Sequence, residues 1–437
     1  MDPMAIGLVA LVIVLVLLAL RVPIAFAMAG VASIGTFLVY ATRTGAWMPE
    51  RALNPTGSVV FSNFFDLVHS YDLSMVPLFV ALGNIAFYTG ITTRIYDAAA
   101  VWLRQLPGGV AMASVMGCGG FSAISGSSIA CASTMGRICV PEMLRMGYDP
   151  RLDTSSVAVG GTLGSLIPPS VLFILYGIFT ETSIAQLFLA GVLPGLLSLA
   201  GLLLVISWWV MRDPAAAPRA DAAATSRGQA AIAAWPALML FLVIVGGIYG
   251  GIFTATEAAA VSVVLTIAVG FLQRRLTPET LWRAIRESLV QTAAIFLIAG
   301  AAKIFVSFVA LTGVAGAVVG WVQEAEMSFA LLMLFVVVVY IILGMFLDPI
   351  GILVLTLPFM VPLIEGYGLN LIWFGVIVVK LLEIGLITPP VGLNVFVVSN
   401  VTRGVSIDKI FAGVSRFLIV DVLVLLLLIL FPIISLL

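Results

Sequence analysis

Gly164-Ser165-Leu166-Ile167-Pro168-Pro169 and, 221 residues later, Gly385-Leu386-Ile387-Thr388-Pro389-Pro390 each set a proline pair inside a long apolar run. A proline has no N–H to donate, and its ring clashes with the carbonyl four residues earlier. Pro168 therefore releases the carbonyl of Gly164 and Pro169 that of Ser165, while Pro389 releases Gly385 and Pro390 releases Leu386. A bare carbonyl in hydrocarbon costs several kcal/mol, so these oxygens must face protein, water or an ion. Two readings follow. Either the opened backbone holds a hard monovalent cation while the helix N-terminus beyond it attracts an anion, or the prolines make kinks repaired by Ser and Thr side chains.

The apolar setting is established by composition. The 437 residues are 62% hydrophobic and 9% charged, with a mean hydropathy of +1.22, whereas ordinary soluble domains carry about 25% charged residues. Apolar runs of roughly 17 to 25 residues recur throughout, each able to cross a hydrocarbon layer, and about ten spans are expected. The first are predicted at 4–20 and 22–41, with Arg21 in a cytoplasmic turn and the N-terminus outside. The acidic N-terminal flank and the lack of a small-residue cleavage site before Arg21 read as a first span rather than a signal peptide. A more polar stretch, 42–74, holds the single histidine, His69, read as interfacial, and precedes a third span at 75–91. Residues 92–107 read as an amphipathic arm on the membrane surface, and Arg137, Arg145 and Arg151 as marks of a cytoplasmic loop. A net charge of −1 offers no field for nucleic acid. Cys118, Cys131 and Cys139 form no Cys-x-x-Cys pair and read as packing residues.

The chain reads as two related halves. Pro141 matches Pro362 and Gly147-Tyr148 matches Gly366-Tyr367, at offsets of 221 and 219 residues, close to the offset of the proline pairs. Between the halves lies an Ala-, Pro- and Arg-rich segment, expected to be a cytoplasmic linker. The expected division is therefore 1–211, linker 212–230, and 231–437. Ahead of each proline pair lies a second interrupted segment. Gly119-Gly120-Phe121-Ser122-Ala123-Ile124-Ser125-Gly126-Ser127-Ser128 carries too much Gly and Ser for a lipid-facing helix. A re-entrant hairpin over about 109–140 fits, as does one ordinary span with small residues for close packing. In the second half the corresponding hairpin covers about 327–364 and puts Asp348 at its tip, where a carboxylate is a functional candidate. The broken helices are expected over about 153–178 and 371–400. Lys303, Lys380, Glu383 and Asp421 are the other intramembrane charges, and Lys380 and Glu383 are spaced to pair on one helix.

With these motifs in view, the chain resembles the large membrane subunit of tripartite ATP-independent periplasmic (TRAP) transporters. The resemblance rests on Ser125-Gly126-Ser127-Ser128, Pro141-Glu142-Met143 with Gly147-Tyr148, Gly164 to Ser170, and Gly385 to Asn394, and it extends over essentially the whole chain. It implies an all-α polytopic protein with two inverted repeats, each with a re-entrant hairpin and a broken transmembrane helix, working as an elevator in the bacterial inner membrane. It also implies sodium coupling, with one ion held by Ser122, Ser125, Gly164, Ile167 and Pro169 and another by Gly344, Gly385, Thr388 and Val391. Ser127 and Asp348 become the residues of the substrate region. The implied partners are a small four-helix membrane subunit, expected as a separate chain, and a periplasmic substrate-binding protein delivering a small organic anion. C4-dicarboxylates, keto acids, sialic acids and sulfonates all remain open as substrates.

Other functions fit less well. A stand-alone sodium/carboxylate symporter of a related two-hairpin fold would need an arginine clamp near the breaks, and the arginines read as surface residues. An intramembrane protease lacks a His-Glu-x-x-His or Gly-x-Ser-x-Gly motif, and an ATP-driven pump lacks a phosphate-binding loop. No enzymatic activity is expected.

Overall fold

The computed structural model describes residues 2–43, 45–218, 226–402 and 404–436, and within them every regular element is helical. Seven helices among the described residues are long and apolar enough to cross a membrane, or nine if two bent pairs each count as one span. About ten are expected from the sequence; the helix of the first expected span, Pro3–Ala19, and the legs Gly109–Ser125 and Phe329–Gly344 are apolar but shorter. The outer surface is greasy: Leu204, Val264, Leu272, Val290 and Leu430 are exposed, as lipid-facing residues must be.

The polar stretch read between the second and third spans folds as a helix, Pro49–Val68. Its exposed Phe61, Phe64 and Phe65 give it an apolar face that the overall polarity of the segment conceals. It meets the next helical segment, Asp72–Tyr88, at 59°. The surface arm is the helix Ile91–Leu103, which buries Tyr96 and Ala100 against the first hairpin. Of the expected linker, residues 219–225 lie outside the described residues. The part before them is not a free tether: Ala216 and Ala217 are buried, and the Ala216 carbonyl accepts from the Asp149 N–H at 2.9 Å.

The first hairpin consists of Gly109–Ser125 and Ser128–Arg145, and the first broken helix runs as Pro150–Gly160, Leu163–Leu166 and Val171–Thr180. The second hairpin is Phe329–Gly344 and Pro349–Gly366, and the second broken helix is Leu371–Gly385 and Leu393–Val401. These four elements interlock across the halves. Val395, Val398 and Phe417 pack into the first hairpin's core, while Phe173 and Tyr176 pack against the second hairpin and Phe374. Polar ties follow the same route. The Tyr176 hydroxyl donates to the Leu371 carbonyl at 2.6 Å, and the Asn394 amide donates to the Ala158 carbonyl at 3.2 Å. Lys380 is fully buried and bonds Asp421 at 2.5 Å and the Ser198 hydroxyl at 3.2 Å, so the expected pairing with Glu383 is not made. The helix starting at Ile407 brings Asp421 closer to the ammonium than the local i, i+3 neighbour.

Candidate functional site

Each hairpin tip sits on a break. At the first, Ser125 ends one leg, Gly126 turns with φ of +63°, and Ser127 caps the next leg by accepting from the Ala130 N–H. The Gly126 carbonyl then accepts from the Val171 N–H at 3.2 Å, fastening the tip beyond the proline pair. Gly164 lies so close that a Cβ there would come within 2.7 Å of the backbone of Ser127 and Ser128. At the second tip a Cβ on Gly385 would come within 2.7 Å of the Gly344 Cα. Both glycines that the prolines single out are therefore the points where hairpin and broken helix touch backbone to backbone.

The two breaks differ in what they leave free. Among the described residues, the Gly164 and Ser165 carbonyls accept no hydrogen bond, and the prolines four residues on have no N–H to give them. In the second break the expectation of two bare oxygens is corrected. The Gly385 carbonyl accepts from the Thr388 N–H at 3.2 Å, and the Leu386 carbonyl accepts from the Asn394 N–H at 3.0 Å. The chain there loops back far enough, from Leu386 to Gly392, for the far segment's amide to return. A carbonyl has two lone pairs, so these oxygens retain one acceptor direction each.

The side chains named from sequence fall into three groups. Ser122 is buried and its hydroxyl is spent on the Cys118 carbonyl at 2.6 Å, whereas the Ser125 hydroxyl is buried without a partner. Ile167 and Pro169 lie in the first break itself, and Pro169 presents its carbonyl to Gly126. Around the second, Thr388 donates to the Ile384 carbonyl at 2.7 Å and Val391 lies in the returning loop. Ser127 and Asp348 share one cavity of about 670 Å³, which Ser125, Ser128, Ser165 and Leu386 also line. Asp348 caps its helix as Ser127 does, accepting from the Gly351 N–H at 2.9 Å. The two are equivalent positions in the halves, 221 residues apart. Each places a helix N-terminus at the cavity; the Ser127-capped end has a positive dipole open to an anion, whereas the Asp348 carboxylate itself occupies the other.

The oxygen-only character of the set suits a hard cation. Among the described residues no cluster of three His, Cys, Asp or Glu side chains could hold a metal. Any ion would therefore rest mainly on backbone and hydroxyl oxygens.

Several cavity residues escaped the sequence reading. Asn84, Tyr88, Glu287 and Gln291 form the opposite wall, with the Tyr88 hydroxyl donating to Glu287 at 2.7 Å and the Asn84 amide to Ser288 at 2.9 Å. Arg137, within the expected hairpin bounds but read as a surface residue marking the cytoplasmic side, lines the cavity with Ala130, Ser133 and Thr134. The spacing of those four, i, i+3, i+4, i+7, is one helix face, a signal obscured by the uniform hydroxyl-rich sequence.

Discontinuous helices meeting at a central cavity are the architecture of secondary transporters, and that is the class this fold defines. A solved structure supports the fold: the Alcanivorax borkumensis YdaH transporter matches with a TM-score of 0.64 at 14% identity, over 87% of this chain and 89% of that one. Residues 11–434 match the family model described as "Tripartite ATP-independent periplasmic transporter, DctM component". The C4-dicarboxylate TRAP transporter large permease protein DctM of Pseudomonas aeruginosa is 33% identical over 77% of this chain and 79% of its own length. The sialic acid TRAP transporter large permease protein SiaM of Vibrio cholerae is 29% identical over 77% and 81%. The isethionate TRAP transporter permease protein DctMQ of Oleidesulfovibrio alaskensis is 29% identical over 78% of this chain and 54% of its own length. The chain belongs to the DctM family: it is a TRAP transporter large permease subunit.

Proposed function

We propose that this subunit drives sodium-coupled uptake of a small organic anion, a carboxylate or sulfonate, across the bacterial inner membrane. The substrate is delivered by a periplasmic binding protein, and a small four-helix membrane subunit completes the complex. The observation that carries the reading is the seating of each hairpin tip on a broken helix, at Gly164 and Gly385, beside one shared cavity. The unpartnered Ser125 hydroxyl and the free Gly164 and Ser165 carbonyls supply oxygens for one sodium ion. Gly344, Gly385, Thr388 and Val391 supply those for a second. The cap positions of Ser127 and Asp348 place the substrate between two helix N-termini. Relatives named for C4-dicarboxylates, isethionate and sialic acid all handle anions. In the elevator motion the hairpins and broken helices travel together past the wall of Asn84, Tyr88 and Glu287, sliding on the apolar contacts of the helix Met75–Tyr88.

The test is uptake into vesicles holding this chain and its small subunit, with radiolabelled succinate, isethionate and N-acetylneuraminate each offered with a cognate binding protein. One probe should accumulate under a sodium gradient and not under choline. Equal uptake without sodium contradicts the coupling. Equal uptake without the binding protein favours a stand-alone symporter instead, for which Arg137 in the cavity would provide the carboxylate clamp.

A further inference from the structure

We infer that Glu383 is a positioning residue that ties the two cation sites together, so that they fill cooperatively; the inference rests on the sodium reading above. Glu383 is buried, two residues before Gly385 at the end of the helix that forms the second break. Its carboxylate accepts from the Ser128 hydroxyl at 2.6 Å, a residue 255 positions away at the tip of the first hairpin. Ser128 also bonds the Ser165 hydroxyl at 2.8 Å. A hydroxyl has one hydrogen, and Ser128 gives its own to Glu383, so Ser165 must donate to Ser128. The chain of bonds runs in one direction: from the first broken helix, through the first hairpin tip, to the second broken helix.

Both ends of that chain carry atoms of the candidate sites. Ser165 holds the carbonyl freed by Pro169 and follows Gly164, which touches Ser128 backbone to backbone. Glu383 stands on the same helical turn as Gly385, which touches Gly344. The tie satisfies one oxygen of the carboxylate. Lys380 is engaged by Asp421 and Ser198, and the second Glu383 oxygen is buried with no hydrogen-bond partner among the described residues. If the first tip lifts, a buried carboxylate is left unpaired, which is costly. The closed arrangement of the first tip and the helix end at the second break are thus stable together, and an ion that favours one favours the other. Coupling of this kind is a free energy shared reciprocally between two sites.

The experiment titrates the purified full-length chain in detergent with sodium chloride against choline chloride, with no substrate, reading the thermal unfolding midpoint. The native protein should show a sigmoidal sodium response with a Hill coefficient approaching about 2, the number of sites. Glu383→Ala and Ser128→Ala should keep a sodium response but lower the coefficient to about 1. Glu383→Gln, which still offers an oxygen to Ser128, should stay near the native value. If the alanine variants lose stability while keeping the native coefficient, the bond is only structural and the inference is overturned. It is overturned equally if Glu383→Gln behaves as Glu383→Ala. Should Glu383→Ala fail to fold, Ser128→Ala, which removes one hydroxyl, decides alone. A native protein with no sodium response would overturn the sodium reading itself, and this inference with it.

Discussion

Single residues fix where each hairpin seats on its broken helix. Gly385 admits no side chain because its neighbour is backbone, the Gly344 Cα, and backbone cannot rotate aside. Overpacking of this kind costs about 1–3 kcal/mol, which shifts the seating equilibrium by about 5- to 150-fold. Gly385→Ala should therefore lower sodium-dependent uptake by about that factor, while Gly316→Ala, with nothing near its added carbon, should transport normally. Equal uptake by the two variants would show that the glycine contact is incidental. Lys380 makes a different prediction. Its partner Asp421 is as deeply buried as it is, so Lys380→Met strands a carboxylate at a cost of about 3–5 kcal/mol. The double variant Lys380→Met with Asp421→Leu should recover most of the lost thermal stability, since an apolar pair can replace a buried ion pair. A double variant no more stable than the single one would refute that balance.

At the scale of the element, the hairpins derive their function from how their second legs begin. Ser127 and Asp348 cap those legs, and the cap alone accounts for a carboxylate at a membrane-buried tip. The two roles separate by substitution. Asp348→Asn keeps an acceptor for the Gly351 N–H and should melt close to the native temperature, whereas Asp348→Ala loses the cap, worth about 1 kcal/mol. If Asp348→Asn also transports normally, the charge plays no part in substrate handling and the residue is a cap only. Much of this was legible in the chain, because prolines and glycines act through covalent geometry and need no partner. The proline pairs at a 221-residue offset lie where two helical runs are interrupted, and the Ser/Gly run lies at the turn between Gly109–Ser125 and Ser128–Arg145. What stayed hidden depends on partners distant in sequence. Asn394 satisfies the Leu386 carbonyl, Asp421 takes Lys380, and Ser128 finds Glu383 across 255 residues. Arg137 reads as facing the surface because a run of hydroxyls and small residues hides which face of a helix meets a cavity.

For the whole molecule, the cores join hairpins and broken helices of both halves and take in Val76, Phe79 and Leu82 of the helix carrying Tyr88, and the cavity is lined by hairpin tips on one side and Tyr88 and Glu287 on the other. Central to the proposed transport cycle is that opened backbone at the two breaks holds the coupling ions. Direct binding of radioactive sodium to the purified chain tests it. The native protein should bind roughly two ions, in keeping with paired sites in repeated halves. Replacing Pro168-Pro169 with Ala-Ala restores helix donors that consume the Gly164 and Ser165 oxygens, and the same change at Pro389-Pro390 adds donors that compete for the one acceptor direction left on the Gly385 and Leu386 oxygens. Each variant should lose about one ion. Undiminished sodium binding in both variants would contradict the proposed sites.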